Sequence, residues 1–418
     1  MKISKLRLEN IKCFKNIEIS FEDDEGGVKN WSLIVGDNGQ GKTTILRSLA
    51  LGLCDKEGAS ALLAELYGFL RRGETEGSIE ICLENANDKK YTIEIRIEGE
   101  NESVSQNVFA GDCVGINKDN MDKIEDFERE DVFAVAYGAG RSVRGTESYE
   151  EYALVDSVYT LFNYKYALQN AELGASRVKL HSDDEWRKLE GTLKKVLMLE
   201  DNDKISLERT GLYVDTGRGK ESFNTLSDGY QSLTSVIIDF VTWSLLYKPD
   251  FDLNDISGIF IIDELEQHLH PRWQREIVKI LSGQFPKVQF LCSTHTPICA
   301  LGLSDIQSSW LFKAAYVNSY SEVERFDVRE EFKGYRADQI LTSSIFGLTD
   351  TRSVSVESKL EKYRKIYLKD SEKRNEEDEK ELRKIEEELK DLPMWDKEEE
   401  KIERKKLIEL LENQKKKS

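Results

Sequence analysis

Alternating apolar and polar residues mark the first hundred positions and predict β-strands. Residues 1–21 alternate on both sides of a turn at 12–16, and residues 79–83 and 91–98 alternate in the same way. A period of two places one face of a strand in the core and the other in solvent. The pattern predicts an N-terminal antiparallel sheet, followed by a polar loop over about 99–130.

Short, uninterrupted apolar runs predict buried strands of a second kind. These runs are WSLIV (31–35), DVFAVAY (131–137), GIFII (258–262) and VQFLC (288–292). Such runs are typical of parallel strands that helices cover on both faces. Helical patterns follow the first run and begin again near 229 and 271. Strands that alternate with helices predict an α/β fold.

The segment 150–225 differs in character from this alternation. It combines Tyr- and Leu-bearing helical patterns with the short β-like sequence GLYVDTG. We interpret it as an inserted, mainly helical lobe.

Charged residues dominate the chain from about position 357 onward. The helical spacing of Leu382 and Ile385 is interrupted at Pro393, because proline cannot continue a helix. We expect a head over 1–354 and a charged helical hairpin over 355–418. The hairpin is either a solvated surface or an arm that contacts a partner or another copy of the chain.

The charge balance limits how the chain can contact nucleic acid. The 418 residues carry a formal net charge of −19. DNA binding is driven by Lys and Arg that displace counterions, so an acidic chain needs a local basic patch or a partner. The clusters Arg71-Arg72 and Arg404-Lys405-Lys406 are candidate patches, although ordinary solvated surface explains them equally.

Other compositional features point to a cytoplasmic protein. No run of eighteen apolar residues occurs, so no membrane-spanning segment is expected. The opening sequence alternates and lacks an apolar h-region, so no secretory signal is expected. The six cysteines contain no CxxC pair and there are four histidines, which favours reduced thiols over a zinc site.

A glycine-rich sequence after the first apolar run carries the strongest chemical signal. It matches GxxxxGK[ST] between a predicted strand and a predicted helix, and its residues are Gly36, Asp37, Asn38, Gly39, Gln40, Gly41, Lys42, Thr43 and then Thr44. Glycines let backbone amides surround phosphates, and a helix N-terminus adds its positive dipole end. We expect ATP here, with Lys42 on the β- and γ-phosphates and the Thr43 hydroxyl on Mg²⁺.

Two carboxylates follow the apolar run GIFII. Asp263 and Glu264 stand at the carboxyl end of this predicted strand. Two acidic residues that only cap the end of the strand, without a catalytic role, would give the same pattern. Beside a phosphate-binding loop, however, Asp263 is expected to hold Mg²⁺ directly or through water. Glu264 is expected to orient or deprotonate the attacking water.

The sequence Leu226-Ser227-Asp228-Gly229-Tyr230-Gln231 precedes a predicted helix and resembles the LSGGQ signature of ABC-class ATPases. Asp228 and Tyr230 depart from that signature. His295 follows the next predicted strand and is similar to the family's switch histidine, which contacts the γ-phosphate. The resemblance implies that Ser227 and Gly229 act on ATP bound to another subunit, in a head-to-tail dimer or a larger assembly.

Within the ABC class, the chain resembles the RecF, SMC and OLD group. About 190 residues separate Gly36 from Leu226, which is longer than a transporter cassette allows. The opening strands and the sequence DELEQHLHPRWQ are similar to that group, with Leu265 in place of the usual proline. His268 and His270 lie where the group makes dimer contacts, and a metal role for them is an alternative. No acidic cluster resembling the OLD Toprim nuclease follows His295.

The sequence GYRADQILTSSIFGLTDTR (334–352) resembles the PtuA ATPases of Septu-type and retron-associated anti-phage systems. The resemblance implies an ABC-ATPase head that works with a separate HNH nuclease, PtuB, which would supply most of the DNA contact. A stand-alone RecF-like or SMC-like DNA-binding ATPase is the alternative function.

The glutamine loop of ABC heads has no clear counterpart in this sequence. Gln106 and Gln169 are both available, and neither clearly follows a strand. The turn 137–141 occupies a plausible position instead. Arg141 in that turn is expected either to contact phosphate or another subunit or to be an ordinary surface residue.

Overall fold

The computed structural model describes residues 1–124, 127, 131–143, 145–146, 148–217, 219–317, 319–332, 334–348, 351, 353–367 and 376–389. The chain forms two compact units, Met1–Gly347 and a second unit that begins at Leu348. Of the helices in these ranges, none has the length and apolarity that crossing a bilayer requires.

The first unit contains three sheets. Its strands are β1 (Lys2–Ile11), β2 (Phe14–Ser20), β3 (Trp31–Val35), β4 (Glu76–Glu84), β5 (Lys90–Glu98), β6 (Ser103–Ala110), β7 (Ala134–Tyr137), β8 (Lys204–Glu208), β9 (Gly211–Thr216), β10 (Gly219–Ser222), β11 (Ser257–Ile262), β12 (Lys287–Ser293), β13 (Ser309–Val317) and β14 (Tyr320–Phe326). The sheet orders are β2-β1-β4-β5-β6, β10-β9-β8 and β14-β13-β3-β12-β11-β7.

Helices cover or connect these sheets. They are α1 (Lys42–Leu53), α2 (Lys56–Ala64), α3 (Leu154–Val158), α4 (Ala171–His181), α5 (Asp183–Val196), α6 (Asp228–Tyr247), α7 (Pro271–Gln284), α8 (Pro297–Leu303), α9 (Val328–Glu331) and α10 (Ala337–Leu341). Single 3₁₀ turns lie at Tyr159–Leu161, Phe223–Thr225 and Leu253–Asp255.

The six-stranded sheet is the centre of the first unit. Its strands β13, β3, β12, β11 and β7 run parallel, and β14 is antiparallel at the edge. Alternate residues of each strand enter different cores, so that Ile261 faces one side of the sheet and Phe260 the other. Both faces are covered, which explains why the sequence shows continuous apolar runs here.

Helix α1 lies between this central sheet and the antiparallel sheet. Its residues Ile45, Leu46 and Leu49 are fully buried in one core with Leu6 of β1 and Ile81 of β4. The antiparallel sheet confirms the strands that the alternating sequence pattern predicts. The polar loop predicted over about 99–130 is partly wrong, because residues 103–110 form β6, which pairs with β5 along its whole length.

The inserted segment is less helical than predicted. Helices α4 and α5 are followed by the sheet β8–β10, which occupies about the last third of 150–225. Val178, Leu189 and Leu212 from this segment belong to the same core as the central sheet. The segment therefore packs against the central sheet as a layer of the head.

The second unit contains the antiparallel helices α11 (Val354–Tyr367) and α12 (Glu376–Leu389). Ion pairs join them, with Lys359 Nζ 2.6 Å from Glu388 Oε2 and Lys362 Nζ 2.6 Å from Glu381 Oε1. The predicted break at Pro393, the part of the hairpin beyond it and the cluster 404–406 lie outside the described residues.

Candidate active site

The parallel strands bring their carboxyl ends to one edge of the central sheet, where ligands of open α/β sheets bind. Backbone hydrogen bonds join the loops that leave this edge. The N–H of Asp263 donates to the Tyr137 carbonyl at 2.8 Å, and the N–H of Leu265 donates to the Ser293 carbonyl at 2.9 Å. The N–H of Thr294 donates to the carbonyl of Ile34 at 3.0 Å. Segments that lie far apart in sequence are thereby fixed beside each other.

The glycine-rich loop runs from β3 into α1. Gly41 has φ +103°, and a Cβ at this position would lie 2.4 Å from the Phe14 ring and 2.6 Å from Cys13 Sγ. Glycine is therefore required both by conformation and by space. Lys42 Nζ donates to the carbonyls of Gly36 at 2.7 Å and Asp37 at 2.9 Å. Burial lowers the pKa of Lys42, against the opposing effect of nearby carboxylates.

Asp263 joins the glycine-rich loop to the next two strands. The Thr43 hydroxyl donates to Asp263 Oδ2 at 2.7 Å, and the Ser293 hydroxyl donates to Asp263 Oδ1. Ser293 Oγ also accepts the backbone N–H of Glu264 at 2.9 Å. Ser293 was not predicted as a functional residue, because its role depends on which strands are neighbours.

The pairing of Thr43 with Asp263 fits the oxygen donors that Mg²⁺ requires. Mg²⁺ is usually held by one or two protein oxygens and completes its octahedron with phosphate oxygens and water. The described residues contain no cluster of three or more His, Cys, Asp or Glu side chains suited to a metal. When bound, the ion would neutralise phosphate charge at this hydroxyl and carboxylate.

Glu264 and His295 are partly exposed polar groups at the same edge. His295 Nε2 lies 3.8 Å from Glu264 Oε1, and the side chains are 34% and 39% exposed, so solvent reaches both. The backbone N–H of His295 donates to Glu266 Oε1 at 2.6 Å. Glu264 itself has φ +51°, in the left-handed region that non-glycine residues rarely adopt.

These groups line one cleft of about 590 Å³, a size that accommodates a nucleotide. The predicted residues in its walls are Asn38, Gly39, Gly41, Lys42, Thr43, Thr44, Glu264 and His295. The structure therefore places most of the predicted phosphate-binding and catalytic residues together. Their chemical roles remain predictions.

Arg141 is buried, so it is not the ordinary surface residue that was one of the two alternatives. It is 8% exposed, and its Nη2 donates to the backbone carbonyl of Glu264 at 2.5 Å and to Gln267 Oε1 at 3.3 Å. Burial lowers its pKa to about 10, so the guanidinium stays protonated at neutral pH. Arg141 therefore holds the loop that carries Glu264.

The two candidate glutamines lie outside the cleft. Gln106 is on β6, and its side chain donates to the Cys54 carbonyl at 2.8 Å. Gln169 is buried, and its backbone N–H donates to Asp239 Oδ1 at 3.1 Å. The Tyr137 hydroxyl donates to the other oxygen of Asp239 at 2.9 Å. Burial raises the pKa of Asp239 to about 6.

The signature-like sequence begins α6 and does not line the cleft of its own chain. Ser227 is exposed at the helix start, and its side chain makes no capping hydrogen bond. Gly229 is buried, and a Cβ there would lie 2.4 Å from the His268 carbonyl oxygen. Any larger residue at 229 would push α6 away from the loop that follows Glu264. The Tyr230 ring packs edge-on against Trp273, with centroids 4.6 Å apart.

The two neighbouring histidines have backbone roles in the structure. His268 has φ +63°, and its carbonyl faces Gly229. His270 Nδ1 accepts the N–H of Arg272 at 3.3 Å and so caps the start of α7. Leu265, in place of the group's usual proline, is 1% exposed and donates its N–H to Ser293.

Comparison with known proteins identifies related sequences. One family profile, described as an AAA domain, matches residues 5–208. A second, described as "AAA domain, putative AbiEii toxin, Type IV TA system", matches residues 153–298. The Septu protein PtuA of Bacillus mycoides (strain KBAB4) is 28% identical over 356 residues, which is 84% of this chain and 45% of the relative. The Septu protein PtuA of Bacillus thuringiensis is 25% identical over 84% of this chain and 85% of the relative.

The fold also matches a solved structure. An SMC head, solved bound to the C-winged helix domain of ScpA, superposes with a TM-score of 0.52. The match covers 80% of this chain and 100% of that chain at 15% identity. The predicted ABC-ATPase head architecture is thereby confirmed.

Replacing Ser293 tests the hydrogen-bond junction at Asp263. Ser293→Ala removes a buried hydroxyl that serves both Asp263 and Glu264, and leaves their polar atoms without that partner. We expect the free energy of unfolding to fall by about 1–3 kcal/mol in urea denaturation. Ser304→Ala is the control, because that hydroxyl donates to the carbonyl of Leu301 within its own helix. Equal, small losses of unfolding free energy in the two variants would contradict the role of Ser293 in joining Asp263 and Glu264.

Proposed function

Because the chain belongs to the ABC-type ATPases of the RecF and SMC group, we propose that it binds and hydrolyses Mg²⁺-ATP as part of an anti-phage defence complex. The observation that carries the ATPase proposal is the 2.7 Å hydrogen bond between Thr43 and Asp263, which joins the phosphate-binding loop to the strand bearing Glu264. Lys42, Thr43, Glu264 and His295 line the same cleft.

Each residue has a distinct task in the proposed hydrolysis. Lys42 leaves its carbonyl partners at Gly36 and Asp37 and contacts phosphate oxygens, since a charged group binds charge more strongly than a neutral carbonyl. Thr43 and Asp263 would hold Mg²⁺, which would neutralise phosphate charge. The Glu264 carboxylate accepts a proton from the attacking water as the water oxygen bonds to the γ-phosphorus, while the bond between the γ-phosphorus and the β–γ bridging oxygen breaks and ADP leaves. His295 stabilises the charge that develops on the γ-phosphate.

We propose that a second copy completes the site. Ser227 and the N-terminal amides of α6 form an anion-binding surface that does not line the cleft of their own chain. A head-to-tail pair would place this surface on the γ-phosphate bound by the partner copy. Such an interface closes with twofold symmetry and contains two equivalent sites.

The defence role is proposed from similarity to the Septu protein PtuA across 84% of the chain. The chain spans 45% of the length of one such relative and 85% of another. We propose a separate HNH-type nuclease as partner, docked on the charged unit that begins at Leu348, with DNA bound mainly by the complex. A net charge of −19 disfavours direct DNA binding by this chain, which supports a partner that makes most of the DNA contact.

A second candidate function is a stand-alone ATPase in DNA repair or maintenance. The fold likeness to an SMC head favours this alternative. It would require direct, ATP-dependent DNA binding that weakens steeply with salt, since phosphate contacts release counterions.

Glu264→Gln tests the hydrolysis proposal. The amide cannot accept a proton, so kcat should fall by at least about 100-fold while the Kd for ATP stays within about twofold. Phosphate release and equilibrium binding measure the two quantities. Glu57→Gln, an exposed change on α2, is the matched control and should retain the full rate. Hydrolysis by Glu264→Gln at the parental rate would remove Glu264 from the mechanism.

Mixing two inactive variants tests the second-copy arrangement. Lys42→Ala removes a phosphate contact, and Ser227→Arg blocks the α6 surface, so each variant alone should be inactive. In a mixed pair, one site joins the intact Lys42 of one copy to the intact Ser227 of the other. An equal mixture should therefore recover about a quarter of the parental ATPase rate. If both residues serve the same copy's site, mixing will restore nothing.

Affinity purification from the native operon tests the partner proposal. The tagged chain should recover a small HNH-type protein in stoichiometric amount, identified by mass spectrometry. Deleting 357–418 should abolish that recovery if the charged unit is the docking surface. Retention of the nuclease by the truncated chain would place docking on the head instead. Recovery of the chain alone, as a dimer that binds DNA with ATP at low salt, would favour the alternative function.

A further inference from the structure

Tyr67 is a fully exposed aromatic residue at the edge of the ATP cleft. Its exposure is 101%, the highest among the large apolar and aromatic side chains of the described residues. Tyr67 lies on the loop between α2 and β4, outside every motif considered above. A bare aromatic ring beside a ligand cleft suggests a binding surface, because most of its area is available for burial by a ligand.

The loop that carries Tyr67 is held firmly to the turn between β1 and β2. Lys12 N donates to the Phe69 carbonyl at 3.0 Å, and Arg71 N donates to the Asn10 carbonyl at 2.9 Å. The ammonium group of Lys12 donates to the carbonyl of Tyr67 itself at 2.9 Å. The backbone position of Tyr67 is thereby fixed although its ring is in solvent.

Two further contacts anchor the same loop. Glu102 Oε1 accepts the N–H groups of Phe69 and Leu70, the second at 2.7 Å. The Phe69 side chain is 1% exposed and fills the core beneath the loop. Because the loop is ordered before any ligand arrives, a ring presented on it loses little conformational entropy on binding.

The cleft itself indicates which part of a nucleotide meets this ring. Glu264, His295, the glycine-rich loop and the first turn of α1 are assigned to the phosphates and Mg²⁺. The remaining lining residues come from the β1–β2 turn and the Tyr67 loop, and they are Lys12, Cys13, Tyr67, Gly68, Leu70 and Arg72. This wall combines an aromatic ring and an apolar side chain with cations, which suits the base, the ribose and the α-phosphate.

We propose that Tyr67 stacks on the nucleobase of the nucleotide whose phosphates the glycine-rich loop binds. The inference rests on the proposed ATPase function and deepens it by assigning the base-binding subsite. Base–aromatic stacking contributes about 1–3 kcal/mol by alanine substitution. Since tenfold in Kd corresponds to about 1.4 kcal/mol, removal of the ring should weaken binding about 5- to 150-fold.

Calorimetric titration of the full chain with two probes tests this assignment. ADP carries the base, whereas ribose 5-diphosphate has the same phosphates and sugar without it, and both are titrated with Mg²⁺. Tyr67→Ala should raise the Kd for ADP about 5- to 150-fold and leave the Kd for ribose 5-diphosphate within about twofold. Tyr67→Phe keeps the ring and should bind ADP as the unsubstituted chain does.

Tyr335→Ala is the matched control, because Tyr335 is 43% exposed and does not line the cleft. An unchanged Kd for ADP in Tyr67→Ala, or equal losses for both probes, would overturn the base assignment while the ATPase proposal stands. A Tyr67→Ala variant that loses DNA binding but not ADP binding would also overturn it and assign the ring to a DNA base. Failure of the unsubstituted chain to bind ADP would instead overturn both proposals together.

Discussion

The buried carboxylate of Asp263 is the junction on which the site depends. It accepts hydrogen bonds from Thr43 on α1 and from Ser293 on β12, and its own strand β11 lies between β12 and β7. A buried carboxylate is tolerated only when donors compensate for lost hydration. The hydrogen bonds that compensate the buried carboxylate of Asp263 therefore also align α1, β11 and β12. One set of contacts therefore imposes both stable packing and the relative position of the two oxygen donors proposed for Mg²⁺.

Glu264 illustrates how the fold places a reactive group in an unfavourable conformation. A non-glycine residue in the left-handed region costs about 1–3 kcal/mol, and Glu264 has φ +51°. Two hydrogen bonds to its backbone offset that cost, one from Arg141 to the carbonyl and one from the N–H to Ser293. Because both partners hold backbone atoms, the Glu264 side chain remains 39% exposed to solvent.

The sequence predicted those features that local pattern determines. The glycine-rich loop and the Asp263–Glu264 pair follow from spacing beside apolar runs, and the central strands follow from continuous apolarity. Arg141 and Ser293 could not be assigned in this way, since their partners are more than 25 positions away along the chain. Strand β6 was not predicted, because its many polar residues do not show the apolar pattern of a strand. It is stabilised by pairing with the more apolar strand β5.

Helix α6 connects the proposed second-copy surface to the catalytic loop. Ser227 and Gly229 lie at its start, and Asp239 in its middle holds the Tyr137 hydroxyl at the end of β7. Tyr137 in turn accepts the N–H of Asp263 through its carbonyl, and the turn that follows bears Arg141. Since Gly229 leaves no space against His268, α6 cannot shift towards that loop without displacing it. A contact made at Ser227 would therefore act on the position of Glu264 in two ways. One is the packing of Gly229 against His268, and the other is the set of hydrogen bonds made by Asp239, Tyr137 and Arg141.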